Sequence, residues 1–382
     1  MSKIEELIQQ LCSNGVEWKR LSDVCDFVNG FAFKSNLFKN AGDTIIRITN
    51  ISGGRINLSD LKYCNVKDYK TDLSQFSVNK GDILIAMSGA TTGKIGFYDH
   101  DSISYINQRV GKFKPHIDAL SNRYLYHFLL SKSAELYAMA GGGAQPNLSS
   151  TTLMNNIEIP LPPLPVQEEI VRILDAFTDY TAELQAELQA RREQYEYYRN
   201  KLLSFEDDSS VVYMTLKEVA TIKNGKDYKH LDYGEIPVYG SGGVMTYVNE
   251  YTYDKPSVLI PRKGSLGNLF YVDMPFWNVD TIFYTVIDTK CVEPKYLYYV
   301  LTKAQLADLN NAGGVPSLTQ SILNRVIIPI PPLSEQRRIV AILDKFEALV
   351  NDLTEGLPAE IAARQEQYEY YRDKLLSFPK AV

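Results

Sequence analysis

The chain has 382 residues, 45% of them hydrophobic and 23% charged, with a formal net charge of −6. That is enough for two globular domains of roughly 130 residues each plus connecting structure, and without an apolar run of about 18 residues a membrane-spanning helix is excluded. The acidic balance argues against a nucleic-acid partner held by bulk charge alone.

The opening stretch, MSKIEELIQQL, carries acidic residues where a secretory leader would be basic, so a short helix within residues 1–15 is expected and no signal peptide. The four cysteines (Cys12, Cys25, Cys64 and Cys291) fit neither a CxxC nor a metal-ligand spacing. Reduced thiols in a cytoplasmic protein are the simplest reading.

Residues 16–157 read as a first globular unit, rich in Gly, Asn and β-branched residues, with short alternating strands such as Asp82–Met87. Residues 158–205 begin with a proline-rich lead, IPLPPLPVQ (Ile159–Gln167), and continue as a helix from about Val166 to Ser204. Its apolar positions, including Ile170, Ile173, Leu174, Phe177, Tyr180, Leu184, Leu188, Tyr195, Tyr198 and Leu202, fall three and four apart, the seam of a coiled coil. Such a helix is ~58 Å long at 1.5 Å per residue. A second globular unit occupies 206–327. Residues 328–382 repeat the lead as IPIPPLSEQ (Ile328–Gln336) and the seam as Ile339, Ile342, Leu343, Phe346, Leu349, Leu353, Ile361, Tyr368, Tyr371 and Leu375. Gly356 stops helices and Pro358 suits a first helical turn, so a break near 354–358 is expected.

The chain is written twice. QYEYYR-x-KLLSF runs from Gln194 to Phe205 and again from Gln367 to Phe378. The globular units match as well: Trp18–Gly30 with Tyr213–Gly225, Asp82–Gly93 with Ser257–Gly267, the helix from Tyr124 with that from Tyr296, and Gly141–Leu148 with Ala312–Leu318. Ile4–Leu21 aligns with Arg199–Leu216 at a constant shift of 195, so the N-terminal helix reads as the tail of a missing earlier helix, and the two ends of the chain are placed to meet. An α+β fold follows: two similar domains joined by two long antiparallel helices in a cyclic, pseudo-two-fold arrangement. Net charge is +3 over 1–155, −4 over 156–205, −3 over 206–327 and −2 over 328–382. The helical segments hold the excess, so DNA binding is permitted but calls for a more basic partner.

In IPLPPLPVQEEIVRILD, IPIPPLSEQRRIVAILD, both QYEYYR-x-KLLSF copies, GLPAEIAARQEQYEYYR, GDILIAMSGATTGKIG and the GGGAQPNL region, the chain resembles the specificity (S) subunit of type I restriction–modification systems over nearly its whole length. The resemblance implies that each globular unit is a target-recognition domain reading one half of a bipartite site in double-stranded DNA. It also implies that the paired helices set the gap and dock two methyltransferase (M) subunits, with restriction (R) subunits joining the complex. No methyltransferase motif, nucleotide loop or catalytic histidine arrangement is written in the chain. No catalytic residue, bound metal or cofactor is therefore expected here, and S-adenosylmethionine, ATP and Mg are expected in partner subunits. The alternative is a coiled-coil scaffold for two proteins that never touches DNA.

Residues shared by the two units are expected to be scaffold, and those that differ at equivalent places to read DNA. Gly30/Gly225, Gly89/Gly264, Gly93/Gly267 and Pro146/Pro316 fall in the first class, as tight turns needing unusual backbone angles, though the Gly89–Gly93 loop also suits a phosphate. Side chains able to contact base edges or phosphates make the second class: Lys34, Arg47, Asn50, Lys94, Gln108 and Arg109 in the first unit, and Lys226, Tyr228, Lys229, His230, Arg262 and Lys263 in the second. The QYEYYR tyrosines have helical spacing, which favours packing between helices over a base-stacking platform or partner docking.

Overall fold

In the computed structural model the described residues are 3–141, 146–205, 209–309, 317–351 and 356–381. The chain divides into two compact units, Met1–Glu183 with Ile361–Val382, and Leu184–Glu360. Each unit thus combines one globular region with parts of both helical stretches.

The first unit is built on a six-stranded sheet in the order Cys25–Asn29, Val110–Pro115, Ile83–Ala86, Ile95–Phe97, Gly54–Ile56, Ile51–Ser52. A four-stranded sheet beside it orders Lys62–Cys64, Asp43–Ile46, Ser104–Ile106 and Ser77–Val78. Ile83–Ala86 is wholly buried because both its faces are covered. Ile83 and Ile85 pack with Leu125, Phe128 and Leu129 of the helix Asn122–Ser131, whereas Leu84 and Ala86 pack with Ile46, Ile51, Val78 and Ile106. That alternation is the period of two expected of a strand.

The second unit repeats the frame with fewer strands. Ala220–Lys223, Ile282–Ile287, Ser257–Pro261 and Phe270–Val272 form one sheet, and Gly243–Val248, Ile236–Gly240 and Trp277–Asn278 another. The parallel pair of Asp43–Ile46 with Ser104–Ile106 recurs as Ile236–Gly240 with Trp277–Asn278. The strands Ile51–Ser52, Gly54–Ile56, Lys62–Cys64 and Ser77–Val78 lie in the longer Gly30-to-Asp82 stretch of the first unit, which is where its additional residues go.

Each proline-rich lead is a strand. Glu158–Leu161 pairs antiparallel with Glu17–Arg20, and Ile327–Ile330 with Val212–Thr215. Leu164–Leu202 is then one continuous helix, while the second stretch comes as Leu333–Asn351 and Leu357–Leu375, with Pro358 in the first turn of the latter. Thr354 and Glu355 lie outside the described residues. In the first unit, Phe177 stacks on Tyr371 (5.4 Å between ring centroids) and Arg364 lies over Tyr180 (5.2 Å), so the two helices run antiparallel. In the second unit Tyr198 stacks on Phe346 (5.7 Å). Of the repeated tyrosines, Tyr195 and Tyr368 are buried, and Tyr198 and Tyr371 lie against these rings. Tyr197 and Tyr370 are 60% and 63% exposed. Packing accounts for four of the six.

The ends of the chain meet as the repeat implies. Val16 N–H donates to Pro379 O and Ala381 N–H to Val16 O, both at 2.9 Å. Ile4 of the N-terminal helix Lys3–Leu11 shares a core with Leu376 and Phe378. Lys3 Nζ reaches the buried Glu169 at 2.7 Å, and Arg172 and then Lys3 hold that carboxyl down to about 2.

Gly30 and Gly225 were expected to need unusual backbone angles, but neither adopts positive φ. The reason for glycine is close approach: a Cβ would stand 2.0 Å from Asn107 O at Gly30, and 2.0 Å from Val279 O at Gly225. We expect Gly30→Ala to cost about 1–3 kcal/mol through overpacking and to displace the turn at 107–109. Thermal unfolding and hydrogen exchange of that turn check it, and unchanged exchange there is the contrary result.

Candidate nucleic-acid interface

In the first unit several strand ends converge on one turn. Gly30 N–H donates to Val110 O and Phe31 N–H to Ile106 O (both 2.9 Å), Asn107 N–H to Ile46 O (3.0 Å), and Met87 N–H to Arg109 O (2.8 Å). The turn at residues 107–109 is thereby clamped on three sides. Gln108 and Arg109 are exposed on it, and neither side chain makes a hydrogen bond or ion pair among the described residues. Lys94 is exposed on the other flank of the same central strand, its carbonyl accepting from Ala86 N–H at 3.0 Å.

Arg47 and Asn50 serve a different end. Asn50 is buried (2% exposed); its Oδ1 accepts from Arg47 N–H (2.9 Å), and its Nδ2 donates to Asn57 O and Asp60 O (both 3.0 Å). Arg47 Nη2 donates to Asp60 O (3.1 Å) and Asp60 Oδ2 (2.9 Å). Asn50 has no amide hydrogen left for a base, so its role is to fold the 47–60 loop rather than the base contact expected of it. Lys34 is exposed at the start of the short 3-10 turn Ser35–Leu37. In the Gly89–Gly93 loop Gly89 N–H donates to Pro146 O, Thr92 N–H to Gly89 O and Gly93 N–H to Ala86 O, and both glycines adopt positive φ, as a tight turn requires. Pro316, half of the matched Gly141–Leu148 segment and most of Ala312–Leu318 lie outside the described residues.

The second unit uses the same clamp. Lys226 N–H donates to Asn278 O (2.8 Å), Arg262 N–H to Thr281 O (3.0 Å) and Leu318 N–H to Arg262 O (2.9 Å). These reproduce the bonds Phe31 to Ile106, Met87 to Arg109, and Leu148 N–H to Met87 O (2.7 Å). The hydrogen bonds therefore equate Phe31 with Lys226, Met87 with Arg262, Ser88 with Lys263, Gln108 with Asp280, and Arg109 with Thr281. Positive charge sits on the turn in one unit and on the strand end in the other.

Lys226, Lys229, His230 and Lys263 are exposed around this turn. Tyr228 is half-buried, and the His230 ring meets Trp277 edge-on at 5.9 Å. The Arg262 guanidinium lies 5.0 Å over the Phe283 ring, a cation–π contact that fixes its stem. A cleft of ≈ 620 Å³ opens beside the turn, lined by Tyr228, Lys229, Ser241, Met245, Asp280 and Thr281 among others. Motif matching passed over Asp280 and Thr281, because no matched motif covers the turn between Gly267 and the helix from Tyr296. The available signal was turn chemistry: Asn278 and Asp280 stand just before the β-branched and aromatic run Ile282–Ile287.

The type I restriction–modification DNA specificity domain matches this chain at residues 14–193 and again at 209–363. The chain belongs to that family. It is 33% identical over 413 residues to a putative type I restriction enzyme specificity subunit of Haemophilus influenzae, covering 98% of each chain. It is 35% identical over 291 residues to the EcoR124I/EcoR124II specificity subunit of Escherichia coli, covering 68% of this chain and 71% of that one. The fold is similar to that of the S subunit of a type I restriction–modification system from M. genitalium, with a TM-score of 0.62, 19% identity, and coverage of 95% and 96%. Each matched segment contains one of the two clamped turns. No described helix is long and apolar enough to cross a membrane.

Proposed function

We propose that this chain is the DNA sequence-specificity subunit of a type I restriction–modification complex in which each unit reads one half of a bipartite double-stranded site. The observation that carries this is the repeated clamp. Identical backbone bonds hold different polar side chains outward at the same place in both units, which is what two readers with different texts require. The long helices set the gap, and their outer faces, including the exposed Tyr197 and Tyr370, dock two methyltransferase subunits. Catalysis resides in those and in restriction subunits, which bring S-adenosylmethionine, ATP and Mg to a complex working in the cytoplasm. This chain contributes no catalytic residue.

The test is to assemble the chain with its methyltransferase subunit and map the adenines methylated in duplex DNA. A bipartite motif is expected. Exchanging residues 18–155 for those of another family member should change one half-site and leave the other and the gap intact. A complex whose motif is the same without this chain refutes the proposal in favour of a scaffold, and a swap that alters both half-sites refutes independent reading.

A further inference from the structure

We infer that the clamped turn is the specificity-determining element of each unit, and that in the second unit Asp280 reads the exocyclic amino group of a cytosine. The inference rests on the reading of the chain as a DNA specificity subunit and deepens it to a residue and a base.

Three observations converge on the turn. First, its frame is constant: the bonds Phe31 to Ile106 and Met87 to Arg109 recur as Lys226 to Asn278 and Arg262 to Thr281. Glycine at 30 and 225 is what lets the turn seat, since a Cβ at either place would stand 2.0 Å from a carbonyl oxygen of the turn. Second, the side chains on that frame differ in chemistry. Gln108 and Arg109 offer amide and guanidinium donors, whereas Asp280 and Thr281 offer a carboxylate and a hydroxyl. Third, the Asp280 carboxylate is exposed on the wall of the ≈ 620 Å³ cleft and makes no hydrogen bond or ion pair among the described residues. Lys229 lines the same cleft, and the backbone of Arg262 bonds the adjoining Thr281.

A carboxylate at a DNA-facing rim repels phosphate, so on affinity alone it is a loss. It is an advantage where it accepts from a base, and in the major groove the partner suited to aspartate is the N4 amino group of cytosine. The surrounding lysines neutralise the nearest phosphates and hold the register. At the equivalent place in the first unit, arginine suits O6 and N7 of guanine and glutamine suits N6 and N7 of adenine. Arg109 and Gln108 therefore point to a purine contact in the first half-site, against a cytosine contact in the second.

The experiment uses the full chain assembled with its methyltransferase subunit, with methylation scored on duplexes randomised across both half-sites. The unaltered complex should require a cytosine in the second half-site. Asp280→Asn, whose side chain is exposed and whose thermal unfolding should match the parent, should relax that one position by roughly 5–100-fold and leave the first half-site unchanged. Arg109→Ala should relax one purine position of the first half-site only. Undiminished discrimination at every position in Asp280→Asn overturns the inference. So does a uniform gain in DNA affinity with an unchanged motif, which would mark Asp280 as a merely repulsive rim charge. If the unaltered complex methylates no bipartite motif, the specificity-subunit reading itself fails; a clear motif with a silent Asp280→Asn sinks only the present inference.

Discussion

Gln167→Leu should lower the stability of the first unit by about 3–5 kcal/mol, and Gln336→Leu should do the same to the second. Both glutamines are fully buried at the start of a long helix. Gln167 Oε1 accepts from Ser121 N–H, and its Nε2 donates to Ala119 O and Pro162 O, all at 2.8 Å. Gln336 repeats the set, with Oε1 accepting from Glu293 N–H (2.8 Å) and Nε2 donating to Cys291 O (2.9 Å) and Pro331 O (2.8 Å). Each amide therefore ties a long helix both to its own proline-rich lead and to the loop that starts the helix Asn122–Ser131 or Pro294–Lys303. Leucine fills the volume and supplies none of the three bonds. The lead carbonyl is left buried and unpaired at about 1–3 kcal/mol, and the two half-exposed partners add about 1 kcal/mol each. Denaturant unfolding with hydrogen exchange separates the units. Gln167→Leu should raise exchange near 119–121 and spare 291–293, and Gln336→Leu should do the reverse. Equal loosening of both units in either variant contradicts the argument.

These two glutamines show how much of the fold was legible in the chain. The repeated leads, the helical seams and the meeting of the ends could be read because duplicated identities report a duplicated framework. What Gln167 does within the lead could not, because its partners are backbone groups 5 to 48 residues away whose identity leaves no mark on the sequence. The same limit applies to the interface. Comparing the units picked out Gln108, Arg109, Arg262 and Lys263; backbone bonds run through Arg109 in the first clamp and Arg262 in the second, with Gln108 and Lys263 next to them in the chain. It misplaced Asn50, since an asparagine folding its own loop and one facing a base look alike as letters. It missed Asp280, because a residue that differs between copies can be aligned only through the bonds around it. Gly30 was recognised as structural for the wrong cause: close approach rather than backbone angle.

His127 gives the first unit a dependence on pH that the second lacks. The side chain is fully buried, with Nε2 2.7 Å from Asp175 Oδ1 and Nδ1 3.0 Å from the hydroxyl of Tyr368. Arg123 also bonds Asp175. Burial pushes the His127 pKa below its ordinary value and outweighs the pull of Asp175, whose charge Arg123 already offsets. Burial would raise the Asp175 pKa, but the bonds from His127 and Arg123 prevail and hold it below the usual carboxylate range. The sign then follows. Below about pH 6.5 the unfolded chain takes up a proton at His127 that the folded unit resists, so stability is full above that pH and falls as acid is added, by at most about 1.4 kcal/mol per pH unit. Asp175 adds a second loss only below the unfolded carboxylate value near 4. In the second unit the equivalent residue is Tyr299, whose hydroxyl donates to Asp344 (2.5 Å) and Glu347 (2.8 Å) and carries no proton exchange in this range. His127→Tyr should therefore flatten the stability of the first unit between pH 7.5 and 5, read by hydrogen exchange within Asn122–Ser131, while Asp175→Ala should cost about 2–3 kcal/mol at pH 7.5 by stranding His127 and Arg123. An acid-induced loss that survives unchanged in His127→Tyr would place its origin elsewhere in the unit.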